Sequence, residues 1–476
     1  MIAEVVALLA ANGCFLVAGI GLGRALGVWT SRAELAGAVG LLYMLGVAVC
    51  GSLAALALIA GLSLELWQVL AGCGLLALTG LARSGGSMLR PALPAPRPAA
   101  LMTRAIQALL TVYLAVLFVH DALRPLVDWD AWTMWTMKAR AIILLHGLDP
   151  ALFAAPAYRA LHLDYPLLYP ALEAIDFRFM GSLNTQVIHL QAWLLMVGFL
   201  VALAELLRDR VPAVLLWPAL LLIGLAPSLT IQIDSASADA PLAIMFALAA
   251  LAGWRYVDGG EWRWAVLMLA FAAAAAAIKQ EGTVFVPLLL LTVLAFSWSA
   301  RRPMRPVVLA AVAVFASMLP WLLWAKLHHA IHSNGGLPIA QAIHPGYLFG
   351  RVDRLPVAVA GMVREALRPG AWTAMLPLAA ALCAAALLAR RGRRLAVFTL
   401  TVVSLTTAAV LSAYWIGKPE VHWYVDASAR RTVTTAVLTA GAFVPLLISE
   451  LASARRPVPV PSAAEPDAVG SGSVSA

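Results

Sequence analysis

Apolar runs long enough to cross a bilayer recur along nearly the whole chain, and no other feature restricts its fold as strongly. A spanning helix needs roughly 20 predominantly apolar residues, and inside the hydrocarbon core its backbone must satisfy its own hydrogen bonds. Runs near 3–23, 35–61, 64–82, 103–120, 186–206, 213–231, 240–254, 265–278, 283–299, 306–325, 372–389, 395–415 and 432–450 predict about 13 membrane-spanning helices. With 62% hydrophobic and 12% charged residues and a mean hydropathy of +0.88, the 476-residue chain has too little charge to cover a soluble surface of its size. The expected class is therefore an all-α polytopic integral membrane protein.

Alternating these runs across the bilayer gathers the short arginine-rich connections on one face. They are Arg24 and Arg32, Arg83 to Arg104, Arg208 and Arg210, Arg255 and Arg263, Arg301 to Arg305, Arg390 to Arg394, and Arg455 and Arg456. That bias marks the cytoplasmic side, so the net charge of +9 reads as membrane orientation and not as a nucleic-acid surface. The opposite, extracytoplasmic face receives the long polar segments 121–185 and 326–371 and the short ones "IQIDSASADAP", "IKQEG" and "GKPEVHWYVDASARR". Nearly every side chain able to do chemistry falls there.

The Pro/Gly/Ser-rich stretch 83–101 reads as a cytoplasmic linker between an N-terminal three-helix unit, 1–82, and a larger membrane domain, 102–450. The polar tail 451–476 is expected to be disordered and cytoplasmic. Glu4, with no lysine or arginine before the first apolar run, fits a retained first helix better than a cleaved signal peptide. Cys14, Cys50, Cys73 and Cys383 lie in or near apolar runs without CxxC spacing and read as small core hydrophobes.

Five short motifs carry the chemistry. "VDWDAW" sets Asp128 and Asp130 ahead of "WTMWTMKARAIILL", whose Trp132, Trp135, Ala139 and Ile142 fall on one helical face with Thr133, Thr136, Lys138 and Arg140 turned away. This suits an amphipathic helix at the membrane interface, with helix capping as the simplest role for an aspartate at its start. "HLDYPLLYP" places His162, Asp164 and Tyr165 on the same segment. "SADAPLAIMFALA" puts Asp239 at the start of a span, again a natural cap, and "AIKQEG" sets Lys279 and Glu281 between two spans. A lysine there either snorkels to headgroups or holds a phosphate at the bilayer surface. "KPEVHWYVDASARR" adds Lys418, His422, Arg430 and Arg431, the arginine pair being a good clamp for a phosphate. His328, His329 and His332 have helical spacing but no carboxylate nearby, so no metal site is expected.

In order and in common sidedness, "WDAWTMWTMKA", "DYPLLYP", "ADAPLA" and "KQEG" resemble the GT-C superfamily of membrane glycosyltransferases, in the branch of the protein O-mannosyltransferases and the lipid A aminoarabinose transferase. The resemblance runs from about Met102 to Glu450. It implies a GT-C fold with extracytoplasmic loop helices, in a plasma membrane such as the bacterial inner membrane. It also implies an inverting transfer of a sugar from a polyprenyl-phosphate donor to a glycan, lipid or protein acceptor hydroxyl outside the cytoplasm. The family's first-loop aspartate, the base toward the acceptor, carries over to Asp130, with Asp128 as the substitute. Many members have adjacent Asp and Glu, whereas here Trp129 separates the two acids, so both stay open. His162, Asp164, Tyr165, Asp239, Lys279, Glu281, Lys418, His422, Arg430 and Arg431 become candidates for substrate binding. The resemblance names no certain cofactor and leaves a divalent cation open.

Three other classes compete. A polysaccharide polymerase or ligase using a diphosphate-linked lipid donor also has many spans and outer arginines, but not the "ADAPLA" and "KQEG" elements. A secondary transporter calls for ionisable residues at mid-membrane depth, and the spans after Glu205 carry almost none. A non-catalytic scaffold would have no need to keep Asp128, Asp130, Asp164, Asp239 and Lys279 together.

Overall fold

A computed structural model describes residues 1–82, 86–93, 97–331 and 337–453, the side chains of 339 and 453 excepted. His332, Arg83, Arg455, Arg456 and most of the expected tail lie outside these residues. The described residues are helical throughout, with no strand. In chain order the main helices are α1 (Ile2–Leu26), α2 (Val39–Ile59), α3 (Leu66–Leu78), α4 (Arg97–Leu123), α5 (Thr136–Leu144) and α6 (Leu168–Met180). There follow α7 (His189–Leu207), α8 (Ala213–Gly224), α9 (Pro227–Asp234), α10 (Asp239–Gly259), α11 (Trp262–Ile278) and α12 (Gln280–Ser299). The last are α13 (Arg305–Leu327), α14 (Arg354–Ala366), α15 (Met375–Leu388), α16 (Arg393–Ile416), α17 (Val421–Thr432) and α18 (Thr434–Ser453).

Nine helices among the described residues are long and apolar enough to cross a membrane, or ten if one bent pair forms a single span. The expectation of about 13 is thus too high by this measure. The difference lies in α3, α11 and α15, which are apolar but short, and in α8 with α9, which bend by 54° at their junction. Pro227 opens α9 and holds Ala226 extended, so the run 213–231, continuous in hydropathy, cannot be one straight helix.

Helix α10 is the axis of the body, and the apolar window that qualifies it as a span is 100% buried. Its alanine-rich face packs against the alanine run of α11, and small side chains let the two backbones approach closely. The first helices are built into the same body. A Cβ on Gly19 of α1 would strike the Leu42 carbonyl of α2, and one on Gly46 would strike the Phe15 carbonyl, so these glycines set the crossing. Glu205 of α7 then accepts from the backbone of Gly40 and Leu41, at 3.0 and 2.7 Å.

The connections sort into two ends. At one, Arg208 donates to Gly37 O, Arg255 chelates Asp209, Arg302 caps carbonyls of Val257 and Asp258, and Arg394 reaches Phe296 O. The other end holds the segments that carry the five motifs. There α14 lays Ala358, Gly361 and Met362 inward on α17, and Arg354 donates to Tyr414 O and Pro419 O at 3.1 and 2.7 Å. The long 337–371 segment thus braces α17 in place.

Candidate functional site

After α4 the chain enters a π-helical turn, Ala131–Trp135, that runs straight into α5. Such turns open the helix locally and recur at functional sites. Asp128 and Asp130 stand at its start, and an arginine takes each carboxylate. Arg124 donates to Asp128 at 3.1 Å, and Arg431, in the last turn of α17, pairs with Asp130. Capping, the simplest expectation for these acids, is not what their side chains do.

The turn aims Trp135 at Tyr165 and Tyr169, with ring centroids 5.7 and 6.2 Å apart. Lys138, one turn later, donates to the backbone carbonyls of His162 and Tyr165 at 3.1 and 3.3 Å and so pins the "HLDY" segment to α5. This corrects the helical-wheel expectation. Lys138 is 0% exposed, Thr133 and Thr136 are buried with it, and Trp132 is the exposed residue. Helix α6 and the "HLDY" segment cover α5, so its polar face is used as fully as its apolar one. Burial lowers the Lys138 pKa to about 7 against the pull of Asp164 and Glu173.

His162 has a left-handed backbone, φ 48°, and stacks on Tyr165 at 4.8 Å. Burial lowers its pKa, so it is neutral near pH 7 and offers no cation to a phosphate there. Tyr165 is half-buried, and the desolvation of its phenol pushes the pKa well above the ordinary range. Asp164 accepts from Gln280 Nε2 at 2.9 Å, and its carbonyl accepts from Trp321 Nε1 at 3.2 Å.

Lys279 is the hub of the neighbouring cluster. Its ammonium bonds Asp239 Oδ1 at 2.7 Å and meets Glu281 Oε1 at 3.0 Å, while Ser237 Oγ donates to Asp239 Oδ2 at 2.9 Å. At 7% exposure it does not snorkel, and Asp239 is a charge partner. Burial works to lower the Lys279 pKa, but the two carboxylates outweigh it and hold the pKa well above normal. One ammonium between two carboxylates leaves a net negative cluster, so this lysine organises the site and is poorly placed to clamp a phosphate. Gly282 completes the motif because a Cβ there would clash with the Ala275 carbonyl, and the tight return from α11 to α12 requires that approach. Lys279→Met should cost about 3–5 kcal/mol by leaving the two carboxylates unbalanced, with Asp239→Asn restoring part of the loss. Thermal unfolding of the single and double variants in detergent checks this.

Arg430 Nε donates to Ser228 Oγ at 2.9 Å, and its terminal nitrogens take no protein partner among the described residues. Of this arginine pair, Arg431 is the one on Asp130, and Arg430 stands one residue before it on α17. Lys418 and His422 are exposed and outside this network, His422 lending only its backbone N–H to Glu420 at 2.9 Å. Two further groups were not legible in the sequence. Glu173 and Asp176 on α6 are fully buried. The Thr136 hydroxyl and Lys138 ammonium face Glu173, and Asn12 of α1 approaches Asp176 at 3.5 Å. The other group, His120, Asp121 and Asp234, is the one set among the described residues whose His/Cys/Asp/Glu ligand atoms could surround a metal ion. His328 and His329 belong to no such group.

No family model matches the chain, and neither a curated protein nor a solved structure is detectably similar to it.

Proposed function

We propose that this protein is an inverting glycosyltransferase that moves a sugar from a polyprenyl-phosphate donor to an acceptor hydroxyl on the extracytoplasmic side. One observation carries the reading: Asp130 and Arg431, some 300 residues apart in sequence, form an ion pair at the end of the helical body that holds the motif segments. Asp130 accepts the proton of the acceptor hydroxyl as its oxygen attacks the anomeric carbon. The bond from that carbon to the phosphate oxygen breaks with its electron pair, and the departing lipid phosphate gains charge that Arg430 and Arg431 stabilise. The ion pair couples the two events. A donor phosphate draws Arg431 toward itself and frees the Asp130 carboxylate for the hydroxyl. No step requires a metal ion.

The buried acids Glu173 and Asp176 are the one feature that a secondary transporter would also use. Sided vesicles separate the two. Right-side-out vesicles given membrane-impermeant acceptor and lipid-linked donor should form product with no change in ion flux. Inside-out vesicles should form none until permeabilised. Product in inside-out vesicles only, or donor-independent solute flux, defeats the proposal.

A further inference from the structure

We infer that His120, Asp121 and Asp234 form a divalent-cation site of mixed nitrogen and oxygen ligands, suited to Zn²⁺ or Mn²⁺. His120 and Asp121 end α4, and Asp234 ends α9. His120 Nδ1 lies 3.3 Å from Asp121 Oδ1 and 3.1 Å from Asp234 Oδ1, and the three ligand atoms all fall within 4.8 Å of one another. A metal with ligands at about 2.0–2.2 Å places neighbouring ligand atoms roughly 3.0–3.5 Å apart, which matches the two distances from His120 Nδ1.

Hydrogen bonding leaves the cluster incomplete. A single Nδ1–H can serve one carboxylate well, yet two face it. The Asp121 side chain is 0% exposed, and its Oδ2 has no hydrogen-bond partner. An orphaned carboxylate oxygen at that depth is costly, and a cation in the cluster relieves it.

Charge points the same way. Arg124 pairs with both Asp128 and Asp234, so Asp121, Asp128 and Asp234 share one guanidinium. Three carboxylates against one arginine leave two negative charges, which a divalent ion cancels. Arg124 on the second oxygen of Asp234 then acts as the outer partner that orients a ligating carboxylate. His120, at 55% side-chain exposure, gives the ion an aqueous route and leaves a coordination position for water. The inference stands independently of the proposed reaction.

The test uses the full chain, purified in detergent and stripped with EDTA, titrated calorimetrically with Zn²⁺ and with Mn²⁺ and followed by Co²⁺ visible absorption. Wild type should bind one equivalent of Zn²⁺ or Mn²⁺ saturably, with a Co²⁺ spectrum that shows nitrogen ligation and a rise in thermal stability. His120→Ala changes a half-exposed side chain and should weaken binding at least tenfold. The near-isosteric Asp121→Asn should weaken it too, whereas His328→Ala should not. Absence of saturable binding to wild type, or unchanged binding in His120→Ala, overturns the inference and leaves a histidine hydrogen-bonded between two carboxylates.

Discussion

Asp130→Asn is expected to lower sugar transfer by about 10²- to 10⁴-fold, the range that a positioned general base contributes. Asparagine keeps the shape and can still accept from Arg431, so the loss isolates proton transfer. Because the change loosens the hold on Arg431, that guanidinium stays available to the donor phosphate. The rate constant should therefore fall while the KM for donor stays level or drops, a split that removal of a merely structural residue does not produce. Asp128→Asn should cost far less, since Asp128 shares Arg124 with Asp234 and it is Asp130 that pairs with Arg431. Steady-state kinetics on expression-matched variants in membranes checks both. Equal losses in the two variants would move the base from Asp130 to the pair as a unit.

The second large effect concerns stability and pH. Burial raises the Glu173 carboxyl from its ordinary 4.5 to about 8, so between those values the folded chain holds a proton that the unfolded chain gives up. Stability therefore falls as pH rises through that window, and Asp176, also raised by burial, adds a loss of the same sign. Lys138 acts oppositely. Its pKa is lowered from 10.5 to about 7, so between 7 and 10.5 the unfolded chain holds the extra proton and stability climbs with pH. Lys138 thus offsets part of that loss above pH 7. At about 1.4 kcal/mol per pKa unit, Glu173 alone accounts for about 3 kcal/mol of loss between pH 4.5 and 7. Glu173→Gln should flatten the acid limb and raise the melting temperature at pH 7. Thermal unfolding in detergent at pH 5, 7 and 9 tests this, and an acid limb as steep in the variant as in wild type contradicts it.

The sequence made the helical membrane class and the position of most apolar segments legible, because hydropathy is a property of single segments. The structure departs from the expected spans where a proline bends a run, as at Pro227, or where an apolar helix is short, as in α3, α11 and α15. The motif residues at the site were legible as types and in their sequence order. Their partners were not, because Arg431 on Asp130, Asp239 on Lys279 and Gln280 on Asp164 are tertiary facts. Lys138 was misread for a related reason. A helical wheel assumes one buried face, and α5 is covered on more than one. His120, Asp121, Glu173 and Asp176 lay in or beside apolar stretches where no motif drew attention to them.

The most direct measurement is sugar transfer by the wild-type protein in proteoliposomes from matched polyprenyl-monophosphate and polyprenyl-diphosphate sugars, with the anomeric configuration of the product read by NMR. The account predicts transfer from a monophosphate donor with inversion at the anomeric carbon. Transfer from the diphosphate donors alone, a retained configuration, or no transfer from any donor would contradict it.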